Sequence, residues 1–388
     1  MTIVGETSTA QFAGAPGLSG DPVRDRPARR KRSAPGEVWE AAGCLGASLA
    51  LVVVAFELAG THPPLGMFLC WALGFMTLYG VLTFLLHGVL VAKDRLATVC
   101  IWFLASLALL PLAEILITVV HNGAPVVFAH FPAFLVHDMA TAGAKDPVWK
   151  GGMGHAIIGT FEQVGLATLY TVPVSVMTAT YLSETSSVFS RFVRTIVDCM
   201  MGTPSIIAGI FVYLFWVYPK GSNGFSGFAA SIALAILMLP IMIRTAEEVI
   251  RVVPGSLREA ALALGAPRWK VSLRIVLPTV RSGILTAVIL GVALAVGETA
   301  PTLFTAEGTG HYNVNPFSGV QANLPLQAFQ LITSFQTNYV RDAWGGAFIL
   351  VFMVLTLFIL TRLLGSSRPG GRRSGIRRHR RSKEVAVP

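Results

Sequence analysis

The chain has 388 residues, of which 53% are apolar and only 13% charged, about half the charge density of an ordinary soluble domain. So little charge cannot cover a soluble surface of that size, and the mean hydropathy is +0.65, so a soluble enzyme is excluded and an integral membrane protein indicated. The net charge of +10 does not indicate nucleic acid. Much of the surplus lies in two runs, at 24–32 and 368–383, that flank apolar segments and lack interleaved stacking aromatics; such runs suit the anionic cytoplasmic face of a bilayer.

In chain order, residues 1–37 are polar and rich in Pro, Gly and Arg, which predicts a disordered basic cytoplasmic tail and no signal peptide. About 20 apolar residues cross the hydrocarbon layer. Eight segments qualify, near 41–59, 65–91, 96–120, 158–182, 203–218, 226–243, 282–304 and 342–364. With both termini in the cytoplasm, 26 of the 30 Lys and Arg fall inside; only Lys145, Lys150, Lys220 and Arg341 fall outside, as the positive-inside rule requires. The outside loops at 122–157 and 306–341 are long, and their Gly, Pro, Asn and aromatic content suits structured elements. Inside, residues 187–201 put Val188, Phe189, Phe192, Val193, Ile196, Val197 and Met200 on one helical face and Arg191, Arg194 and Asp198 on the other. That pattern fits a helix lying in the membrane interface, or an ordinary loop helix. Residues 365–388 form a second basic cytoplasmic tail. Cys44, Cys70, Cys100 and Cys199 have no paired spacing, so neither disulfide nor zinc site is expected, and the histidines offer no metal-ligand spacing.

The longest charged cytoplasmic loop between spans, 244–281, carries the most information. Ser256 and Glu259 have capping-box spacing, and Gly265 followed by Pro267 reads as a left-handed helix stop. A second helix is expected from Pro267 toward Leu277, ended by Pro278. The run Glu259-Ala260-Ala261, three residues, Gly265, nine residues, Ile275, one residue, Leu277-Pro278 resembles the EAA loop of bacterial ABC importer permeases. Arg244-Thr245-Ala246-Glu247-Glu248, Thr203-Pro204-Ser205-Ile206-Ile207-Ala208-Gly209, Gly297-Glu298-Thr299-Ala300-Pro301 and Ala322-Asn323-Leu324-Pro325 narrow the resemblance to the A-type permease family of the phosphate-specific importer.

The resemblance covers about 93–364. It implies an all-α membrane protein, a six-helix type I importer permease core at 93–364, with an extra transmembrane hairpin at 38–92. It further implies that the loop at 255–278 docks, through Glu259, Ala260, Ala261, Gly265, Ile275, Leu277 and Pro278, into a cleft of a separate ATPase subunit. The implied partners are a second, C-type permease subunit, an ATP-binding subunit dimer and an external phosphate-binding protein, in a bacterial cell membrane with lipid around the spans. Many relatives have arginine where this chain has Leu294, which departs from any simple model of anion binding by that arginine.

Within the spans, Glu298 is costly unless it faces protein or water, and Gly297 and Pro301 suggest an interrupted helix. A structural or gating role is favoured over direct contact with an anion, which a bare carboxylate would repel. Glu298 would then bond backbone freed by Pro301 or a cation on the partner subunit. Thr299, Thr203 and Ser205 are candidates to line the path, although membrane hydroxyls commonly bond their own helix. No Gly-Lys dipeptide occurs, so no P-loop is present; serine-elbow, zinc-protease and kinase motifs are absent too. The chain is expected to be a non-catalytic subunit without cofactor or metal. The alternatives are a permease for another oxyanion, or a self-sufficient channel or carrier.

Overall fold

A computed structural model describes residues 35–60, 63–143 and 145–365. Both basic runs and most of the two expected tails lie outside the described residues; 35–37, expected in the first tail, are instead helical, with Pro35 suited to a first helical turn, and Gly365 likewise ends a helix. Among the described residues, seven helices are long and apolar enough to cross a membrane, and a bent pair makes an eighth. The chain divides into two compact units, 1–112 and 113–388.

The first unit is built from α1 (Pro35–Ala59), α2 (Pro64–His87) and the start of α3 (Val89–Ala129). In α1 and α2, Ser48 lies against Gly74, and the Trp71 indole donates to the Leu45 carbonyl at 3.3 Å. Gly88 adopts φ 82°, a conformation open to glycine, so the chain reverses there without a loop. Lys93 and Arg95, expected between spans, therefore sit in the first turns of α3. Arg95 reaches back to Glu40 at 3.0 Å.

α3 runs for 41 residues, well past 121, where the sequence predicts a loop. Packing overrides the local breakers Asn122, Gly123 and Pro125. Gly123 lies so close to the Trp344 carbonyl that a Cβ would sit 2.3 Å from it, and Phe128 meets the Phe348 ring. The following segment is structured as expected, through α4 (Ala133–Val136) and a 3₁₀ turn at Val148–Lys150. The Gly143 N–H and the Lys150 ammonium, at 2.9 and 3.0 Å, hold the Asp146 carboxyl below its usual range.

The second unit centres on α5 (Gly154–Glu184) and α8 (Gly227–Arg251), with α6 (Val188–Met201) and α7 (Ser205–Val212) between them in sequence. α8 is buried along most of its length, with Ala229, Ala233, Met238, Met242 and Ile250 inaccessible. It outlasts the expected span by eight residues, from 243 to Arg251, because its last turns are held by ion pairs rather than lipid. α7 continues through a π turn at Tyr213–Val217 and a 3₁₀ stretch to Gly224. α6 begins at a Ser187–Ser190 capping box. Its expected apolar face is divided: Val197 is buried and Val193 packs on the same core, while Val188, Phe189, Phe192 and Ile196 stay exposed.

Next come α9 (Gly255–Ala263), α10 (Arg268–Val271) and α11 (Leu277–Thr279). Two expectations fail here. Pro254 occupies the N-cap of α9, so Ser256 already lies inside the first turn and makes no capping bond with Glu259. Pro278 does not end the second helix, because a π turn at Ser272–Val276 widens the backbone just ahead of its ring. The helix instead bends by 77° at Val280, before α12 (Arg281–Gly297).

α12 stops at Glu298, and α13 (Ala300–Thr305) resumes after the two-residue break. α14 (Leu324–Thr333) and α15 (Thr337–Gly365) complete the chain.

Candidate functional site

The loop at 255–278 is a rigid helix–turn–helix. The N–H of Gly265 donates to the Leu262 carbonyl at 2.9 Å and that of Ala266 to Ala261 at 3.3 Å, with Gly265 at φ 79°. This is a Schellman stop, satisfying two carbonyls that the helix end would leave open. The signature residues divide by direction. Ala261 is buried and Ile275 and Leu277 pack on the same core, with Ala179, Leu182, Ile243, Val271 and Val276. Glu259, Ala260, Gly265 and Pro278 face outward. Beside them, Leu264 is 89% and Trp269 59% exposed, an apolar tip on a well-anchored base.

The anchor beneath that base is a cluster that sequence reasoning did not assign. Glu247, on α8, is 2% exposed. Its Oε1 accepts from Arg194 of α6 and from Arg251, each at 2.6 Å, and its Oε2 from Arg244 at 3.2 Å. Arg244 also pairs with Asp198 of α6, and Arg194 donates to the Leu182 carbonyl of α5 at 3.1 Å. A carboxylate so deeply buried persists only when its lone pairs are met by charge-assisted donors. Arg258, in the first turn of α9, donates to the Val253 and Ile250 carbonyls at 3.0 and 2.9 Å. It also makes an ion-pair contact with Glu184 at 3.1 Å. These contacts tie together the last turns of α5 and α8, the middle of α6 and the start of α9. Helical spacing was the available signal: Arg244 and Arg251 lie three before and four after Glu247, on one face. Arg194, 53 residues away, had none.

Glu298 and Thr299 occupy the break between α12 and α13, both partly buried. Among the described residues the Glu298 carboxylate has no hydrogen-bond or ion-pair partner. The expected bond to freed backbone is therefore not made; Thr302 and Thr305 instead bond the carbonyls of Thr299 and Pro301 at 2.9 and 2.8 Å. Thr203, in the bend just past α6, bonds the Cys199 carbonyl in the last turn of that helix, 3.2 Å away. Ser205 opens α7, and its hydroxyl has no hydrogen-bond partner among the described residues. What brings the two segments together is Gly209: a Cβ there would lie 2.7 Å from Pro301 Cα, so α7 and α13 touch through backbone. No hydrogen bond joins Thr203 or Ser205 to Glu298 or Thr299.

The Ala322-Asn323-Leu324-Pro325 run has a structural explanation. Asn323 caps α14 by accepting from the Leu326 N–H at 2.9 Å and donates to Gln163 of α5 at 2.7 Å. Gln163 in turn donates to Gln321 at 3.1 Å. A Cβ on Gly159 would come within 2.0 Å of the Ala322 carbonyl, so this strap lies directly on α5.

The family described as "Binding-protein-dependent transport system inner membrane component" matches residues 171–366. The phosphate transport system permease protein PstA of Haemophilus influenzae is 40% identical over 254 residues, 65% of this chain and 86% of that one. PstA 1 of Mycobacterium tuberculosis is 36% identical over 273 residues, 70% of this chain and 88% of that one. A solved structure of the MetNI methionine ABC transporter in an inward-facing conformation aligns with 55% of this chain and 95% of its own, at 19% identity and TM-score 0.44.

Proposed function

We propose, for a chain that belongs to the PstA family of phosphate transport system permeases, the role of one membrane subunit of an ATP-driven phosphate importer. The spans carry inorganic phosphate by alternating access. ATP is bound and hydrolysed on a separate pair of subunits, whose closure reaches the spans through the loop at 255–278. A second, C-type permease completes the pathway, and an external phosphate-binding protein delivers the ion to the segments around 130–153 and 306–336. The Lys and Arg distribution favours both termini in the cytoplasm. In this reading residues 93–364 are the transporting core, 38–92 an accessory hairpin, and Glu298, Thr299, Thr203 and Ser205 belong to the path or its gate.

The observation that carries the reading is the construction of the loop. A helical knob with an exposed Leu264–Trp269 tip stands on a base clamped to α5, α6 and α8 by Glu247 and Arg258. A lever needs both properties: a tip free to dock, and a base too stiff to absorb the push. The test is co-purification of the chain with its ATP-binding subunits from cells expressing the whole system. Replacing Leu264 and Trp269 together by Asp should release the ATP-binding subunits while the C-type permease stays bound. Full retention of the ATP-binding subunits contradicts the assignment. Elemental and mass analysis of the anion held by the intact complex should find phosphate; molybdate or sulfate in its place supports the other-oxyanion alternative.

A further inference from the structure

A cavity of about 740 Å³ opens between the end of α3 and the start of α15, lined by His121, Asn122, His130, Thr337, Arg341 and Trp344 among others. We propose that it binds a phosphate-bearing anion, either the headgroup of an anionic lipid or free orthophosphate.

The polar lining consists of donors and potential cations, and no described lining residue is a carboxylate. Arg341 is the centre of the argument. Arg341 has no carboxylate partner among the described residues. Its neighbour Asp342 is turned inward, 3% exposed. Asp146, two residues before the lining residue Val148, is occupied by Lys150 and the Gly143 N–H. The nearby acids are therefore spent or hidden, and an unneutralised guanidinium faces open space. Its planar fork matches two phosphate oxygens.

His121 and Asn122 add to the site. With His121 Nδ1 3.3 Å from Asn122 Oδ1, the amide nitrogen of Asn122 and Nε2 of the ring have no hydrogen-bond partner among the described residues. The Thr337 hydroxyl and the His130 ring supply further donors. The rest of the lining includes apolar and aromatic side chains, Trp344, Phe335 and Pro125 among them. Arg341 and Trp344 also stand where the apolar run of α15 begins, the level at which tryptophan and headgroups meet in a bilayer. Both candidate ligands share the phosphate chemistry. They differ in whether the apolar part of the lining is used.

The test uses the full-length chain in its assembled complex, reconstituted in nanodiscs of phosphatidylcholine alone or mixed with phosphatidylglycerol. Native mass spectrometry counts the lipid retained, and radiolabelled orthophosphate is titrated in the phosphatidylcholine discs. Arg341→Gln should weaken retention of one probe about tenfold, His130→Gln should weaken the same probe less, and Arg362→Gln at the far end of α15 should leave both unchanged. Loss of phosphatidylglycerol identifies a lipid site; loss of orthophosphate identifies an ion site. Should Arg341→Gln lower the melting temperature, His130→Gln decides the matter. Unchanged binding of both probes in well-folded Arg341→Gln and His130→Gln overturns the proposal.

Discussion

Glu247 and Glu298 are both carboxylates in apolar surroundings, and the structure treats them oppositely. Glu247 is met on both oxygens by arginines, so its removal leaves three partly exposed guanidinium groups converging on an empty buried position. Glu247→Ala should cost about 3 kcal/mol in detergent unfolding. Arg251→Ala should cost less than about 1 kcal/mol, because that side chain is more than half exposed and screened. Equal effects would mean that the cluster is not organised around the carboxylate. Glu298 has no partner among the described residues, so nothing in this chain is orphaned when it is replaced. Glu298→Leu should therefore change stability by less than about 0.5 kcal/mol while uptake falls sharply, and Glu298→Gln should keep more uptake than Leu. A large stability loss in the isolated chain would return Glu298 to an internal structural role.

At the scale of elements, the turn at Gly265 decides where the second helix of the loop at 255–278 points. Open space surrounds the position, so the only obstacle to a side chain is the left-handed backbone at φ 79°. Gly265→Val should cost about 1–2 kcal/mol locally and abolish uptake with all spans still inserted. Gly265→Asn, tolerated in that conformation, should retain much of it. Uptake at the unmodified rate in Gly265→Val would remove this turn from the coupling path. The same turn was legible in the sequence, since Gly followed two residues later by Pro announces it locally. The break at Glu298 was legible too, from Gly297 and Pro301. Pro278 misled, because a proline alone does not reveal that a π turn upstream makes room for it. Ser256 misled in the same way: its capping box needed an N-terminus two residues later than the one Pro254 sets. The extension of α3 past 121 depends on the Gly123–Trp344 contact across more than 200 residues, which no local pattern encodes.

For the whole molecule, the account separates a transporting core from the N-terminal hairpin. α1 and α2 are each long and apolar enough to cross a membrane, and if they cross as the proposed pair, deleting them preserves the sidedness of everything downstream. A chain beginning at Ala92 should insert and recruit its partner subunits; normal insertion with complete loss of assembly would make the hairpin part of the core. The central claim is that this chain moves phosphate at the expense of ATP hydrolysed elsewhere. Its most direct test is uptake of radiolabelled phosphate into vesicles bearing the reconstituted complex, with the external binding protein added and ATP supplied on the side of the 255–278 loop. The account predicts uptake that requires ATP, stops in Gly265→Val and is competed by unlabelled phosphate but not by sulfate or molybdate. Uptake that continues without ATP, or that molybdate competes as well as phosphate does, would contradict it.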